Sequence, residues 1–544
     1  MKQHICTAAA LAMLLLLGAC IDDKGNYAYH DVNSITISGI NHVDTSYLVA
    51  VGEYLRITPT LKFSAGEEHD AYRYEWHQMG KVVPHQSVHL LSTERNLNLK
   101  VEGSLSDVGS YYLMYCVTNL TTGVRYDHVF SVNVQNRISK GYIVLHEQSG
   151  GGFDVDLMSL YGDTLTRYSK LLNMFASDLP RGGKPLDLLC YPDHTAPSPY
   201  YVGTRLEYSV WVLTDKSTDR IKAEDYSYAP DYNISKLSLM PAAVLGGKPL
   251  VAEKMVSISA TVAGARCYMY FNGNWFFFNG SIMVYFFNQP LNVLSGEPQA
   301  QPYAVSPHII VGSGYGAIMF DEDNHRFMLH KILSSDMYTS SKIYCSHRIT
   351  DADLLFKWEN PDYKLLYMGN RTYQNGFAVV KNTATGLCEL LQMSLTGSPS
   401  AVVANQLARS VFPTNFDVES VKFFAYHTSL PYLYCATEDR VYRILLTTMS
   451  VHDITDQVVP AGHKISVMEF LFVRSPRGHL LTVATYDPSG EEGQNGTLRL
   501  FDAKDGTGDL TLAKHPANPT AEGYQIDMSW SGFGKIVALD YKQE

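Results

Sequence analysis

The chain has 544 residues, 46% hydrophobic and 18% charged, which supplies enough apolar side chains for two or more cored domains and excludes a disordered polypeptide. A net charge of −11 leaves no basic footprint for nucleic acid and repels an anionic membrane surface. Eight cysteines, two of them Cys6 and Cys20 and the other six scattered without paired spacing, show no disulfide or zinc framework and read as small buried hydrophobes.

Residues 1–19 run from Lys2 through the apolar stretch Ala8 to Leu17 into Leu17-Gly18-Ala19-Cys20, the three-part form of an export signal. The stretch is short of the roughly 20 apolar residues that a spanning helix needs, so it predicts a removable peptide rather than a permanent anchor. Leu-Gly-Ala-Cys resembles the bacterial lipobox, which implies acylation of the Cys20 thiol and cleavage in front of it. At about 0.8 kcal/mol per buried CH2, several acyl chains hold a protein to a membrane without any spanning helix. Residues 20–32 then form a lipidated tether, whose Asp22 and Asp23 resemble the acidic segment associated with surface export in Bacteroidota lipoproteins.

Residues 33–137 carry short alternating runs, Ser34-Ile35-Thr36-Ile37, Tyr54-Leu55-Arg56-Ile57 and Phe130-Ser131-Val132-Asn133-Val134, with the period of half-buried strands. Two marks point to an immunoglobulin-like sandwich: Trp76 in Tyr72-Arg73-Tyr74-Glu75-Trp76 as a core tryptophan, and Asp107-Val108-Gly109-Ser110-Tyr111 with the spacing of a tyrosine corner at Tyr111. Leu113 stands where an antibody domain has its second cysteine, so apolar packing alone must seal this core.

Residues 138–544 repeat a hydrophobic-turn-hydrophobic unit. The clearest unit is Tyr268 to Phe271, Asn272-Gly273, Trp275 to Phe278, Asn279-Gly280 and Ile282 to Phe287, in which Asn-Gly suits a type I′ hairpin because both central positions need positive φ. Comparable turns fall at Ser149 to Gly152, Asp215 to Asp219, Asp321 to Asn324, Asn382 to Gly386, Glu438-Asp439 and Asp502 to Gly506. Seven turns spaced roughly 59 residues apart predict a β-propeller of seven blades, within limits of six to eight, with long connecting loops. The last run, Gly534 to Leu539, is placed to complete the first blade and close the ring, which protects sheet edges.

Cys20 to Tyr27, followed by Val32-Asn33-Ser34-Ile35-Thr36-Ile37-Ser38-Gly39-Ile40, together with Tyr74-x-Trp76 and Gly109-Ser110-Tyr111, resembles the opening of the PKD-like family of Bacteroidota lipoproteins. The likeness covers residues 20 to 136 and thins beyond them, to the blade pattern and Gly141-Tyr142-Ile143-Val144-Leu145. It implies a surface accessory lipoprotein of the outer membrane, encoded beside a TonB-dependent transporter and its SusD-like lid (a SusC/SusD pair), which import oligosaccharides or peptides.

No catalytic motif stands out. Gly312-Ser313-Gly314-Tyr315-Gly316 lacks the spacing of a nucleophile elbow, and His146-Glu147 is not followed by a second histidine four residues on. Asp321-Glu322-Asp323-Asn324 lacks the glycine and closing glutamate of a calcium loop, and Asp502-Ala503-Lys504-Asp505-Gly506 reads as a hairpin turn. No metal or cofactor is expected. With 37 tyrosines, 22 phenylalanines and five tryptophans, Trp211, Trp275, Tyr315 and Trp358 are candidate platforms for a ligand, against the alternative that such rings fill the core between blades. Asp163-Thr164-Leu165 resembles a short O-glycosylation signal of Bacteroidota secreted proteins. The expectation is a non-catalytic, lipid-anchored binding protein of a nutrient uptake system, with an extracellular glycan- or peptide-degrading enzyme, its carboxylates around the channel, and a purely structural transporter subunit as alternatives.

Overall fold

The computed structural model describes residues 32–544 except 80–86, 106, 108, 162–163, 195–205, 239, 258–265, 280–288, 298–300, 313–315, 333–344, 351, 353, 399–400, 474, 505, 517–524 and 544. The export signal, Cys20 and its tether, Tyr315, Asp163 and the third strand expected at Ile282 to Phe287 lie outside the described residues. The chain divides into two compact units between Gln135 and Asn136.

The first unit is all β. Five strands form one sheet in the order Tyr47–Ala50, Arg125–Gln135, Gly109–Asn119, Tyr72–Met79 and Ser87–Ser92, and two hydrogen-bonded pairs, Ile35–Ser38 with Thr60–Phe63 and Tyr54–Ile57 with Leu97–Lys100, complete the sandwich. The alternation in these runs puts Ile35, Leu55, Ile57, Leu113, Val132 and Val134 into one core around Trp76. Trp76 is fully buried, its ring 4.2 Å from Tyr115 and 5.9 Å from Phe130 between centroids, and its indole N–H donates to the Glu94 carbonyl at 2.8 Å. The tyrosine corner is present: the Tyr111 hydroxyl donates to the carbonyl of Asp107, four residues upstream, at 2.8 Å. Leu113 is fully buried where a disulfide would otherwise stand. Because a single hydrogen bond contributes about 1 kcal/mol net, Tyr111→Phe is expected to destabilise this unit by about that amount. Thermal unfolding of parent and variant measures it, and an unchanged midpoint would show that the corner carries no stability.

The second unit is a β-propeller. Its described residues form seven antiparallel blade sheets in chain order, beside a small two-stranded sheet of Lys514–Pro516 and Gln525–Asp527, and each of the seven turns read from the sequence falls in a different blade. The innermost strands are Pro185–His194, Lys254–Val256, Ile310–Gly312, Tyr363–Asn370, Phe423–Tyr426 and Lys464–Phe470 for blades two to seven. Blade one takes its three outer strands, Gly141–Glu147, Phe153–Tyr161 and Thr164–Tyr168, from the start of the unit and its innermost strand, Ile536–Lys542, from the end of the chain. The expected closure is therefore made. Blade seven differs in phase: its central turn joins Leu481–Tyr486 to Gly496–Ala503, while the turn expected at Asp502 leads to the outer strand Leu510–Leu512.

Both faces of each sheet are buried, so the strands read as continuous apolar runs rather than as alternating ones. Successive residues go to opposite neighbours: Ile143 and Leu145 pack toward blade two, Tyr142 and Val144 toward blade seven. Seven apolar cores result, one between each pair of adjacent blades, including the pair formed by blades seven and one. Local turn chemistry sets the hairpins. Asn272 and Gly273 have φ of 48° and 75°, as a type I′ turn requires, and Phe271 pairs with Asn274 across it. The seam that closes the ring is tight: a Cβ on Gly534 would lie 1.7 Å from the Glu147 carbonyl oxygen. None of the six described cysteines is in a disulfide, and all but Cys388 are buried.

Candidate functional site in the propeller channel

The first strands of the blades converge on the axis, where they enclose a cavity of about 300 Å³. Every blade contributes to its wall: Asp540 from blade one, Asp187 from two, Lys254 from three, Ile309 at the head of four, Tyr367 from five, Phe424 from six and Glu469 from seven. Three carboxyls and one ammonium thus share a small space, with Ser257, Asn370, Tyr367 and Tyr426 as further polar residues in a wall that is otherwise apolar.

Two of the carboxyls are held by backbone. Asp187 accepts from the Leu188 N–H at 2.9 Å and from the Met255 N–H of blade three at 3.4 Å. Asp540 accepts from the Cys190 N–H of blade two and from the Tyr541 N–H, both at 2.7 Å. These bonds staple blade one to two and blade two to three. Asn370 of blade five does the same toward blade four, its amide accepting from the Val311 N–H at 2.9 Å and donating to the Val311 carbonyl at 2.7 Å. By contrast, Glu469, Lys254 and the Tyr367 hydroxyl make no hydrogen bond to another described residue, although each faces the cavity.

These groups keep some surface toward the cavity yet lie deep in the protein, and burial dominates their ionisation. Burial, reinforced by the negative charges of Asp187 and Asp540 and opposed by Lys254, pushes the Glu469 carboxyl up to about 8. Burial also raises Asp187, to about 6, against the pull of Lys254. The Lys254 ammonium is held below its ordinary range by burial, with Asp187 and Glu469 opposing the shift. His308, close enough to feel Lys254, is lowered to about 4 by burial and by that charge, and is therefore neutral at pH 7. Burial and the neighbouring Glu469 raise the Tyr367 hydroxyl.

A carboxyl whose value rises on folding contributes stability that is complete below its unfolded value and is lost as pH rises through the folded one. For Glu469 that window runs from about 4.5 to about 8. Glu469→Gln, which cannot ionise, should therefore lose less thermal stability than the parent between pH 6.5 and 8.5. Parallel melting-temperature profiles for the two proteins would contradict the burial argument.

The three described aromatic candidates, Trp211, Trp275 and Trp358, do not line this site. Trp211 and Trp275 are completely buried and Trp358 nearly so, in the cores between blades two and three, three and four, and four and five respectively. The Trp275 indole donates to the Ser306 carbonyl at 2.8 Å. These rings have no face free to stack on a ligand, so they are corrected here to core residues; large flat apolar surfaces are worth most between packed sheets. Asp321 is likewise occupied. Its carboxylate accepts from the N–H groups of Asp323 and Asn324, both at 3.1 Å, and from Arg326 Nε at 2.8 Å, which makes it a turn device.

The channel residues themselves were missed by the sequence reading, because they lie far apart in the chain and form no spacing motif. A faint signal exists: Asp187, Glu469 and Asp540 each interrupt an apolar strand run, Pro185-Leu186-Asp187-Leu188-Leu189, Val467-Met468-Glu469-Phe470-Leu471 and Val537-Ala538-Leu539-Asp540-Tyr541.

Among known proteins, the model of the PKD-like family matches residues 20–172, the first unit and the opening of the first blade. No curated protein matches the chain. Solved structures similar to it include a quinonprotein alcohol dehydrogenase-like protein from Bacteroides thetaiotaomicron, at 11% identity over 95% of this chain and 100% of that one with a TM-score of 0.35. Apo AztD from Citrobacter koseri is similar at 10% identity over 86% of this chain and 100% of that one, with a TM-score of 0.29. The PKD domain of human KIAA0319 is similar at 18% identity over 21% of this chain and 90% of that one, with a TM-score of 0.16. The family match is thus confined to the front of the chain, ahead of most of the propeller.

Proposed function

We propose that the protein is an outer-membrane surface lipoprotein, anchored through Cys20, that serves as a non-catalytic binding component of a TonB-dependent uptake system for glycans or peptides, with the propeller channel as its ligand site. The observation that carries the binding reading is the convergence of Lys254, Tyr367 and Glu469, hydrogen-bonding groups without protein partners among the described residues, on one half-open cavity. Buried polar groups are normally satisfied, so groups left open toward a cavity are suited to a polar ligand. The anchor reading rests on Leu17-Gly18-Ala19-Cys20, and no helix among the described residues is long and apolar enough to cross a membrane.

Two measurements test this. Fractionation of cells should find the parent in the outer membrane and Cys20→Ser released from it. Purified protein should bind members of glycan or peptide arrays, and Tyr367→Phe, which deletes one open hydroxyl, should weaken that binding about three- to tenfold, the value of one hydrogen bond. Silent arrays together with stoichiometric copurification of a transporter would replace binding by a structural role. One observation favours a second reading. Asp187 near 6 and Glu469 near 8 are carboxyls separated in protonation within one cavity, as acid and base catalysis requires. Products formed from array ligands, and abolished by Glu469→Gln, would establish hydrolysis instead.

A further inference from the structure

We propose that the propeller channel accepts a small organic cation, a primary ammonium or guanidinium group, seated against Glu469 between Asp187 and Asp540 with the Tyr367 hydroxyl beside it. The inference rests on the reading of the channel as a ligand site and names the chemistry that the site selects. Four observations lead to it.

The first is charge. The cavity wall carries three carboxyls against one ammonium, so an anionic ligand meets like charge in a region of low dielectric, whereas a cation completes the balance. The second is hydrogen bonding. Asp187 and Asp540 each accept two backbone N–H groups, while Glu469 accepts from no described residue, which leaves both of its oxygens for a donor brought in from outside. A ligand rich in N–H groups fits such a wall, since carboxylates only accept. The third is size. The described residues include no group of three or more histidine, cysteine, aspartate or glutamate side chains gathered closely enough to hold a metal ion, and a cavity of about 300 Å³ suits a multi-atom cation that spans separated carboxyls. The fourth is a precedent in the wall itself, where the Arg371 guanidinium already lies 4.1 Å over the ring of Tyr426, one of the aromatic residues that line the cavity with Phe424 and Tyr367.

The arrangement couples binding to protons. The charged and titratable groups that act on Glu469 are Asp187 and Asp540, which hold its proton on, and Lys254, which pulls it off; Tyr367 faces it and His308 faces Lys254. A bound cation adds to the pull of Lys254 and favours the ionised carboxylate. Binding therefore releases a proton below about pH 8 and proceeds without release above it. Lys254 competes with the ligand for the same carboxyls.

The test is calorimetric titration of the purified full-length protein with methylguanidinium, cadaverine and glucosamine, each beside its neutral counterpart methylurea, pentanol or glucose. Methylguanidinium stays charged throughout, so its pH profile reports the protein. At least one cation should bind tenfold or more tightly than its counterpart. Methylguanidinium affinity should rise about fifteenfold between pH 6.5 and 8, as the ionised fraction of one carboxyl near 8 grows, and level off above about pH 9. Glu469→Gln should abolish that rise, and Lys254→Met should tighten cation binding, a gain that a merely structural role for the lysine would not produce. If Glu469→Gln does not fold, the pH profile of the parent and the Lys254→Met result decide the matter. Equal binding of neutral counterparts, or a flat pH profile, overturns the cation assignment. Binding of a neutral sugar or peptide that Tyr367→Phe weakens would overturn it too while leaving the channel as a ligand site. Silence of all six probes and of both arrays would remove both readings.

Discussion

A chain ending at Phe533 is expected to lose its propeller. The strand Ile536–Lys542 pairs with Gly141–Glu147 from Gly141 opposite Lys542 to His146 opposite Ile536, with one register shift after Leu145. It supplies Ile536, Leu539 and Tyr541 to the core between blades seven and one, and Ala538 to the core between blades one and two. Two polar ties go with it: the fully buried Lys542 ammonium donates to the carbonyls of Ile138, at 2.6 Å, and Ala223, and Asp540 holds the Cys190 N–H. Removing the strand leaves Gly141–Glu147 as an apolar inner edge with unpaired N–H and C=O groups, a template for aggregation. The truncated protein should elute as aggregate and show no cooperative propeller transition. A synthetic peptide of residues 534–544 added during refolding should recover part of the monomer by strand addition. A truncated monomer that unfolds as cooperatively as the parent would show that the ring does not depend on its clasp.

The second large effect is expected at Asp156, in the same blade. This buried carboxylate accepts from His146 Nε2 at 3.0 Å, from Arg167 Nε and Nη2 at 2.9 and 2.7 Å, and from the Lys170 N–H at 2.7 Å. His146 in turn takes the Gly534 N–H on Nδ1 at 3.1 Å, so its proton sits on Nε2 and the network reaches the closing seam. Burial works to raise the Asp156 carboxyl, but the hydrogen bonds from His146 and the Lys170 N–H, with the Arg167 guanidinium, outweigh it and hold it below the ordinary range. Asp156→Ala leaves a buried imidazole and a guanidinium without their acceptor and should cost about 3–5 kcal/mol. Asp156→Asn, which keeps one acceptor oxygen but no charge, should fall between variant and parent. Denaturant unfolding of the propeller measures both, and a loss below about 1 kcal/mol for Asp156→Ala would show that the network is solvated rather than structural.

Both predictions concern closure, and closure also makes the channel. Asp540 reaches the axis only because the chain end returns to blade one, and it then bonds to Cys190, 350 residues earlier in the chain. Substitutions that loosen the seam should therefore disturb the ligand site as well as stability.

Much of the architecture was legible in the sequence because it is written locally. Asn272-Gly273 forces a type I′ hairpin wherever it stands between apolar strands, and Tyr111 sits four residues after the carbonyl it binds. Recurring turns gave the seven sheets, and a leftover apolar strand at the chain end announced the clasp. The phase of blade seven was misread because the turn at Asp487 to Asn495, which carries Asp487 bonded to the Ser489 N–H, is longer and more polar than the short Asp502 turn beside it. Trp211, Trp275 and Trp358 were ambiguous for a different reason: an indole in an apolar strand has the same sequence context whether it packs on the next blade or lines a cavity. Only the tertiary structure decided that these rings are core and that Asp187, Lys254, Tyr367, Glu469 and Asp540 share one cavity. Periodicity and turn chemistry act over a few residues and fix strands and hairpins, whereas which side chains meet at the axis depends on seven strands converging after the ring has closed.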